Sequence, residues 1–132
     1  MRISSFIIFC SLVLVISSCK KEDDTQPLVN PTIEFRSEDG YTYLSDTVPP
    51  SDTLTVGVMI TRGTNAMHHF KVTVSYDGGD PLTTDSLPMG TDAFEFDKTI
   101  IAQPSAGSEK WSFNIVENDG DVIRRSLTFT VL

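Results

Sequence analysis

The sequence is poor in the residues that carry covalent and metal chemistry. Of 132 residues only 2 are cysteine and 2 are histidine, and two cysteines are too few for a disulfide scaffold. Basic residues are scarce as well: 10 Lys plus Arg stand against 18 Asp plus Glu, a formal net charge of −8. A nucleic-acid binder needs a basic face to replace phosphate counterions, and no basic cluster occurs along the chain, so no nucleic-acid partner is expected. No apolar run reaches the roughly 20 residues of a membrane-crossing helix. What is present, 39% hydrophobic residues over this length, suffices for one core and one ordinary domain.

The main apolar run is N-terminal. After Met1 and Arg2, the segment Phe6 to Ile16 reads FIIFCSLVLVI. As helix it would rise about 16 Å, roughly half of a hydrocarbon core of about 30 Å. A basic start, a short apolar stretch and the small residues Ser17 and Ser18 have the layout of a secretory signal peptide. The junction Ile16-Ser17-Ser18-Cys19 resembles a bacterial lipobox, in which the cysteine is lipidated and heads the mature chain. That resemblance implies that residues 1–18 are a signal peptide, that Cys10 leaves with it, and that Cys19 is the lipidation site. Several acyl chains, palmitate among them, at about 0.8 kcal/mol per buried CH₂ would then hold the protein firmly to a membrane. Next come Lys20, Lys21, Glu22, Asp23 and Asp24, then Thr25, Gln26 and Pro27. Residues 19–30 therefore read as a polar tether, with a reach of at most about 36 Å from residue 20. The lysine-then-acidic run resembles the export signal of Bacteroidetes surface lipoproteins, which implies an outer-membrane protein facing the cell exterior.

From residue 31 onward apolar residues recur at every second position, the period of half-buried strands. Ile33 and Phe35 form one pair. Tyr41, Tyr43 and Leu44 open a second strand that ends at the turn Val48-Pro49-Pro50-Ser51-Asp52. Leu54, Val56, Val58 and Ile60 alternate with Thr53, Thr55, Gly57, Met59 and Thr61. Phe70, Val72, Val74 and Tyr76 follow, closed by Asp77-Gly78-Gly79-Asp80, where glycine supplies the positive φ of a tight turn. Residues 81–90 contain Pro81 and Pro88 and can be an edge strand or a loop, not a central strand. Phe94 and Phe96 open a strand reaching Ile100. Trp111, Phe113 and Ile115 lead through Asn118-Asp119-Gly120-Asp121 into Ile123, Leu127, Phe129 and Val131. An Asp-Gly pair between alternating runs predicts an antiparallel hairpin. Arg125 breaks the inward phase of the last strand, which a bulge or a position at the sheet rim would accommodate.

About seven strands, no core helix and frequent turns predict an all-β fold, an antiparallel immunoglobulin-like β-sandwich over residues 31–132. Trp111, Phe113, Phe70, Val56 and Val58 are its expected core. The stretches PTIEF and GYTYLSD, the strand LTVGVMI and the ending EKWSFNIVENDGDVIRRSLTFTV resemble the immunoglobulin-like domains of Bacteroidetes surface lipoproteins. The resemblance spans nearly the whole mature chain and implies a fold. It supplies no catalytic residues.

Residue chemistry gives little to build an enzyme on. His68 and His69 are adjacent, and neighbours on a regular strand point to opposite faces, so the two cannot converge on one ion unless the strand breaks. There is no Gly-x-Ser-x-Gly turn, Walker loop, dinucleotide fingerprint or His-Glu-x-x-His, and no cofactor is expected. Carboxylates are plentiful in turns: Glu38 with Asp39, Asp77 with Asp80, and Glu117, Asp119 and Asp121. Such residues serve as turn formers and solubilisers; the last three are also the set a calcium ion would use if one bound. The expected function is that of a membrane-anchored surface lipoprotein acting as a non-enzymatic protein-interaction or structural accessory module, through an exposed edge strand or loop end. The alternative is a carbohydrate-binding accessory protein of an outer-membrane glycan-uptake system. The expected partners are thus the membrane, through the lipid on Cys19, and a surface protein or glycan.

Overall fold

Leu54, Val56, Val58 and Ile60 take one side of a nine-residue strand because their spacing matches the pleat. The computed structural model describes residues 26–132, and in it this segment is the middle strand of a three-stranded sheet. Eight strands occur among the described residues: β1 Thr32–Phe35, β2 Asp46–Val48, β3 Thr53–Thr61, β4 Met67–Tyr76, β5 Leu82–Pro88, β6 Ala93–Ile101, β7 Gly107–Glu117 and β8 Val122–Val131. One sheet has the order β1-β3-β6 and the other β2-β8-β7-β4-β5. No helix occurs among the described residues. The signal segment, Cys19 and the run Lys20, Lys21, Glu22, Asp23 and Asp24 lie outside the described residues.

The two inner faces make one core. The small sheet contributes Ile33, Val56, Val58, Ile60 and Ile100, and the large one Phe70, Val72, Val74, Trp111, Phe113, Ile115, Leu127, Phe129 and Val131. All five expected core residues are buried. Aromatic rings stitch the layers: Phe70 meets Phe94 and Phe96 edge-on at 5.5 and 5.2 Å, and Phe35 meets Phe113 at 5.6 Å. Edge-to-face contact sets the positive ring rim against the negative π-face. The β7–β8 hairpin keeps an unbroken register from Val116↔Val122 to Gly107↔Val131, with Gly120 at φ 96° in the turn.

Several expectations need correction. Tyr41, Tyr43 and Leu44 are not in a strand; the second strand is the short β2, and it pairs parallel to β8 through Val48↔Val131. The tyrosines serve another purpose. Tyr41 lies where a side chain on Gly57 would be, with its Cε1 only 2.6 Å from an ideal Cβ there. The Arg36 guanidinium sits 4.4 Å from its ring centroid, and its hydroxyl donates to Asp97 at 3.0 Å. A glycine in a strand interior often marks such a close approach. Arg125 needs no bulge. From the core-facing phase of β8 it reaches the rim, donating to the carbonyl of Ile33 at 3.0 Å and covering Phe35 at 4.9 Å.

Each sheet edge carries a feature that discourages further pairing. β1 and β2 are short, β5 ends in Pro88 and has a register irregularity opposite Val72/Thr73, and β6 points a lysine inward. That lysine, Lys98, meets Asp85 of β5 at 2.7 Å, an ion pair between the two sheets. Burial alone would raise the Asp85 pKa; hydrogen bonds from Lys98 and Thr84, with the lysine charge, overcome it and hold the group below its usual range.

Candidate functional site

The outer face of the large sheet carries a layer of polar side chains. Lys71, Thr73 and Ser75 alternate with buried Phe70, Val72 and Val74, and Lys110, Ser112 and Asn114 alternate with Glu109, Trp111 and Phe113. The pleat therefore turns these polar residues outward together. Pairing aligns them into rows: Lys71, Asn114 and Arg124 in one, Thr73, Ser112 and Ser126 in the next, Ser75, Lys110 and Thr128 in the third. All of these but Ser126 and Thr128, with Pro81, Thr83, Val116 and Val122 at the margins, line a shallow groove of about 440 Å³. Its floor is fixed by side-chain bonds. Asn114 donates to the carbonyls of Lys71 and Ser112 at 3.2 and 3.1 Å and accepts from Arg124 Nε at 2.5 Å.

Charge sets this face apart. The folded part holds 7 basic and 15 acidic side chains. Arg36 pairs with Glu38 and Asp97, Arg62 with Asp92 and Lys98 with Asp85, while Arg125 bonds a backbone carbonyl. Among the described residues, no ion pair uses Lys71, Lys110 or Arg124, and no carboxylate lines their groove. The absence of a basic run along the chain thus concealed a basic face. Its members come from the β7–β8 hairpin and from β4, which is distant in sequence, and strand order brings them together. The available signal was that each stands one step out of phase with core residues.

A second constellation sits at one end of the sandwich, where β7 turns into β8. Glu117 occupies the core-facing phase and is only 3% exposed, while Asp119 and Asp121 are exposed in and after the turn. One ligand atom from each lies within 4.8 Å of the others. Asp119 accepts from Asn65 Nδ2 at 2.6 Å and from the Asp121 N–H at 3.1 Å. Glu117 Oε1 has no hydrogen-bond partner. Burial first, then the charges of Asp119 and Asp121, raise its pKa above the ordinary carboxylate value. The other acidic pairs do not gather: Glu38 is engaged by Arg36, and Asp77 caps the N–H of Ser108 at 2.8 Å.

The histidines depart from regular alternation. The β4–β7 register shifts between Met67 and His69, leaving His68 as the extra residue. This bulge brings the two rings side by side, with centroids 5.9 Å apart, although adjacent residues of an unbroken strand would diverge. His69 Nε2 hydrogen-bonds Ser86 Oγ. Neither histidine belongs to the group of three carboxylates described above.

No family model matches the chain, and no curated protein matches it. Among solved structures it is similar to a conjugate transposon protein (residues 27–141) from Bacteroides vulgatus, with 13% identity and a TM-score of 0.47 over 83% of this chain and 90% of that one. It is also similar to a chain in the complex of zinc 2-glycoprotein with prolactin inducible protein from human seminal plasma. There the identity is 8% and the TM-score 0.47, over 83% of this chain and 99% of that one. No residue role passes from either.

Proposed function

We propose that the protein is a non-enzymatic interaction module, lipid-anchored through Cys19 at the outer face of the outer membrane, which presents the basic face of its large sheet to an acidic segment of a partner protein. The observation that carries this reading is the set Lys71, Lys110 and Arg124, three cations without ion pairs among the described residues on one face of a strongly acidic domain. An acidic segment would supply the missing counter-charges, and the Ser and Thr hydroxyls would take its backbone groups. Charge complementarity of this kind steers encounter and fixes orientation. A long nucleic acid fits poorly, because three cations release few counterions while the rest of the domain repels a polyanion.

A second reading, a carbohydrate-binding accessory protein of a glycan-uptake system, rests on Tyr43. The residue is 43% exposed beside Tyr41 and Leu44 in a shallow surface dip, a place where a sugar could stack. The basic groove itself contains no aromatic residue.

Crosslinking the anchored protein in cells, followed by mass spectrometry, tests the first reading against a triple variant, Lys71→Glu, Lys110→Glu and Arg124→Glu. The parent is expected to recover a partner with an acidic segment, and the variant to lose at least about tenfold of it. Equal recovery by both overturns the basic-face reading. Saturable binding of a neutral polysaccharide, lost in Tyr43→Ala, favours the second reading.

A further inference from the structure

The acidic end of the sandwich carries an inference separate from the basic face. Three carboxylates near one another do not by themselves make a site, since turns collect acidic residues for other reasons. The distinguishing observation is Glu117. It is 97% buried by its 3% exposure, it lies on the same strand face as Trp111, Phe113 and Ile115, and its Oε1 has no partner. Buried polar atoms in native proteins are paired almost without exception, and a carboxylate oxygen left bare is among the costliest to leave so. Glu117 itself belongs to a group with Asp119 and Asp121 in which one carboxylate oxygen from each residue lies within 4.8 Å of the others. Around an ion held at about 2.3–2.6 Å, two ligand oxygens stand at most about 5 Å apart, so one ion can touch all three carboxylates. No Lys or Arg pairs with any of them among the described residues. The nearby Arg62 is already paired with Asp92 at 3.0 Å.

We infer that Glu117, Asp119 and Asp121 form a calcium site that locks the β7–β8 turn. Calcium fits better than magnesium: two of the three ligands are exposed and sit on a turn, which suits a large ion with flexible coordination, whereas magnesium demands near-ideal octahedral geometry. Water would complete the shell on the exposed side. The turn is tied to the β3–β4 loop by Asn65 to Asp119 at 2.6 Å and by the Asn118 N–H to the Ala66 carbonyl at 3.0 Å. An ion at Glu117 would therefore stiffen two loops at this end of the sandwich.

Thermal melting of the full-length protein in detergent micelles, with 10 mM calcium, 10 mM magnesium or chelator, tests the site. Extracellular calcium modules bind at about 10⁻⁴–10⁻³ M, which at this concentration raises Tm by roughly 5–15 °C. Magnesium is expected to give less than half that rise. Glu117→Gln keeps the side chain's size and removes its charge; it should fold with a Tm in chelator at or above the parent's and lose the response to calcium. Titration calorimetry of the parent should show about one calcium per chain. A parent Tm unmoved by calcium overturns the inference, as does a Glu117→Gln variant that keeps the full response. A magnesium rise equal to that of calcium overturns the choice of ion. None of these outcomes depends on the basic face.

Discussion

Glu109 and Glu117 stand near the two ends of β7, both on its core-facing phase, with Trp111, Phe113 and Ile115 between them. At the first end Glu109 is fully buried and both oxygens are occupied: Oε1 accepts the N–H of Gln103 at 2.5 Å and Oε2 the indole N–H of Trp111 at 3.0 Å. At the other end Glu117 is almost as deeply buried, but one oxygen is bare and its near neighbours are two further carboxylates. The same residue on the same strand face thus has two uses. Glu109 satisfies donors that would otherwise be stranded beside the core, and its role ends with the fold. The Glu117 Oε1 meets no donor among the described residues, and the arrangement around it suits something supplied from outside.

The largest test of this contrast is at the Glu109 end. Trp111→Ala removes a core side chain and also the indole N–H that Glu109 accepts, and should cost about 3–5 kcal/mol in urea unfolding. An unchanged urea midpoint would remove Trp111 from the core. Glu109→Gln is expected to cost about 1.5–3 kcal/mol, because one of the two donors must then face an amide N–H. Glu117→Gln, by contrast, relieves a clash of like charges, and in chelator should change stability little or raise it. If both glutamine variants lose stability by the same amount, the two ends of β7 are equivalent and the contrast is broken.

A smaller effect separates the carboxylates by pH. Asp85, held low by its partners, contributes stability that is fully present above its usual value and is lost as pH falls through its lower folded value. Lys98→Met should therefore flatten the loss of stability below about pH 4 in acid-unfolding curves. Glu117 has the opposite sign, since its folded value is raised: its favourable contribution is present at low pH and fades as pH climbs through the folded value.

Much of the fold is legible in the sequence, because the pleat imposes a period of two wherever one face is buried. Val56, Val58, Phe70, Trp111 and Phe113 announce themselves by that period, and Asp119-Gly120 marks the hairpin turn by its need for positive φ. Tyr41 and Tyr43 mislead for a physical reason. Aromatics at alternate positions suggest a strand, but Tyr41 fills the space above Gly57 from outside the sheet, a contact between residues that no local pattern links. The bulge at His68 and the parallel pairing of β2 with β8 likewise depend on partners elsewhere in the chain. Of the candidate sites, the acidic turn is visible because its three residues alternate within five positions. That Glu117 is buried with a bare oxygen is not visible, since it depends on the phase of β7 and the packing around it. The basic face is the least visible, because Lys71, Lys110 and Arg124 meet only through the β4-β7-β8 order.

The contrast between the two glutamates is tested most directly by carbon-13 NMR of the side-chain carboxyls of Glu109 and Glu117 during a calcium titration of the full-length protein. The Glu117 resonance is expected to move and saturate while that of Glu109 stays in place. A Glu117 resonance unmoved at 10 mM calcium, or a Glu109 resonance that moves as far, would contradict the account.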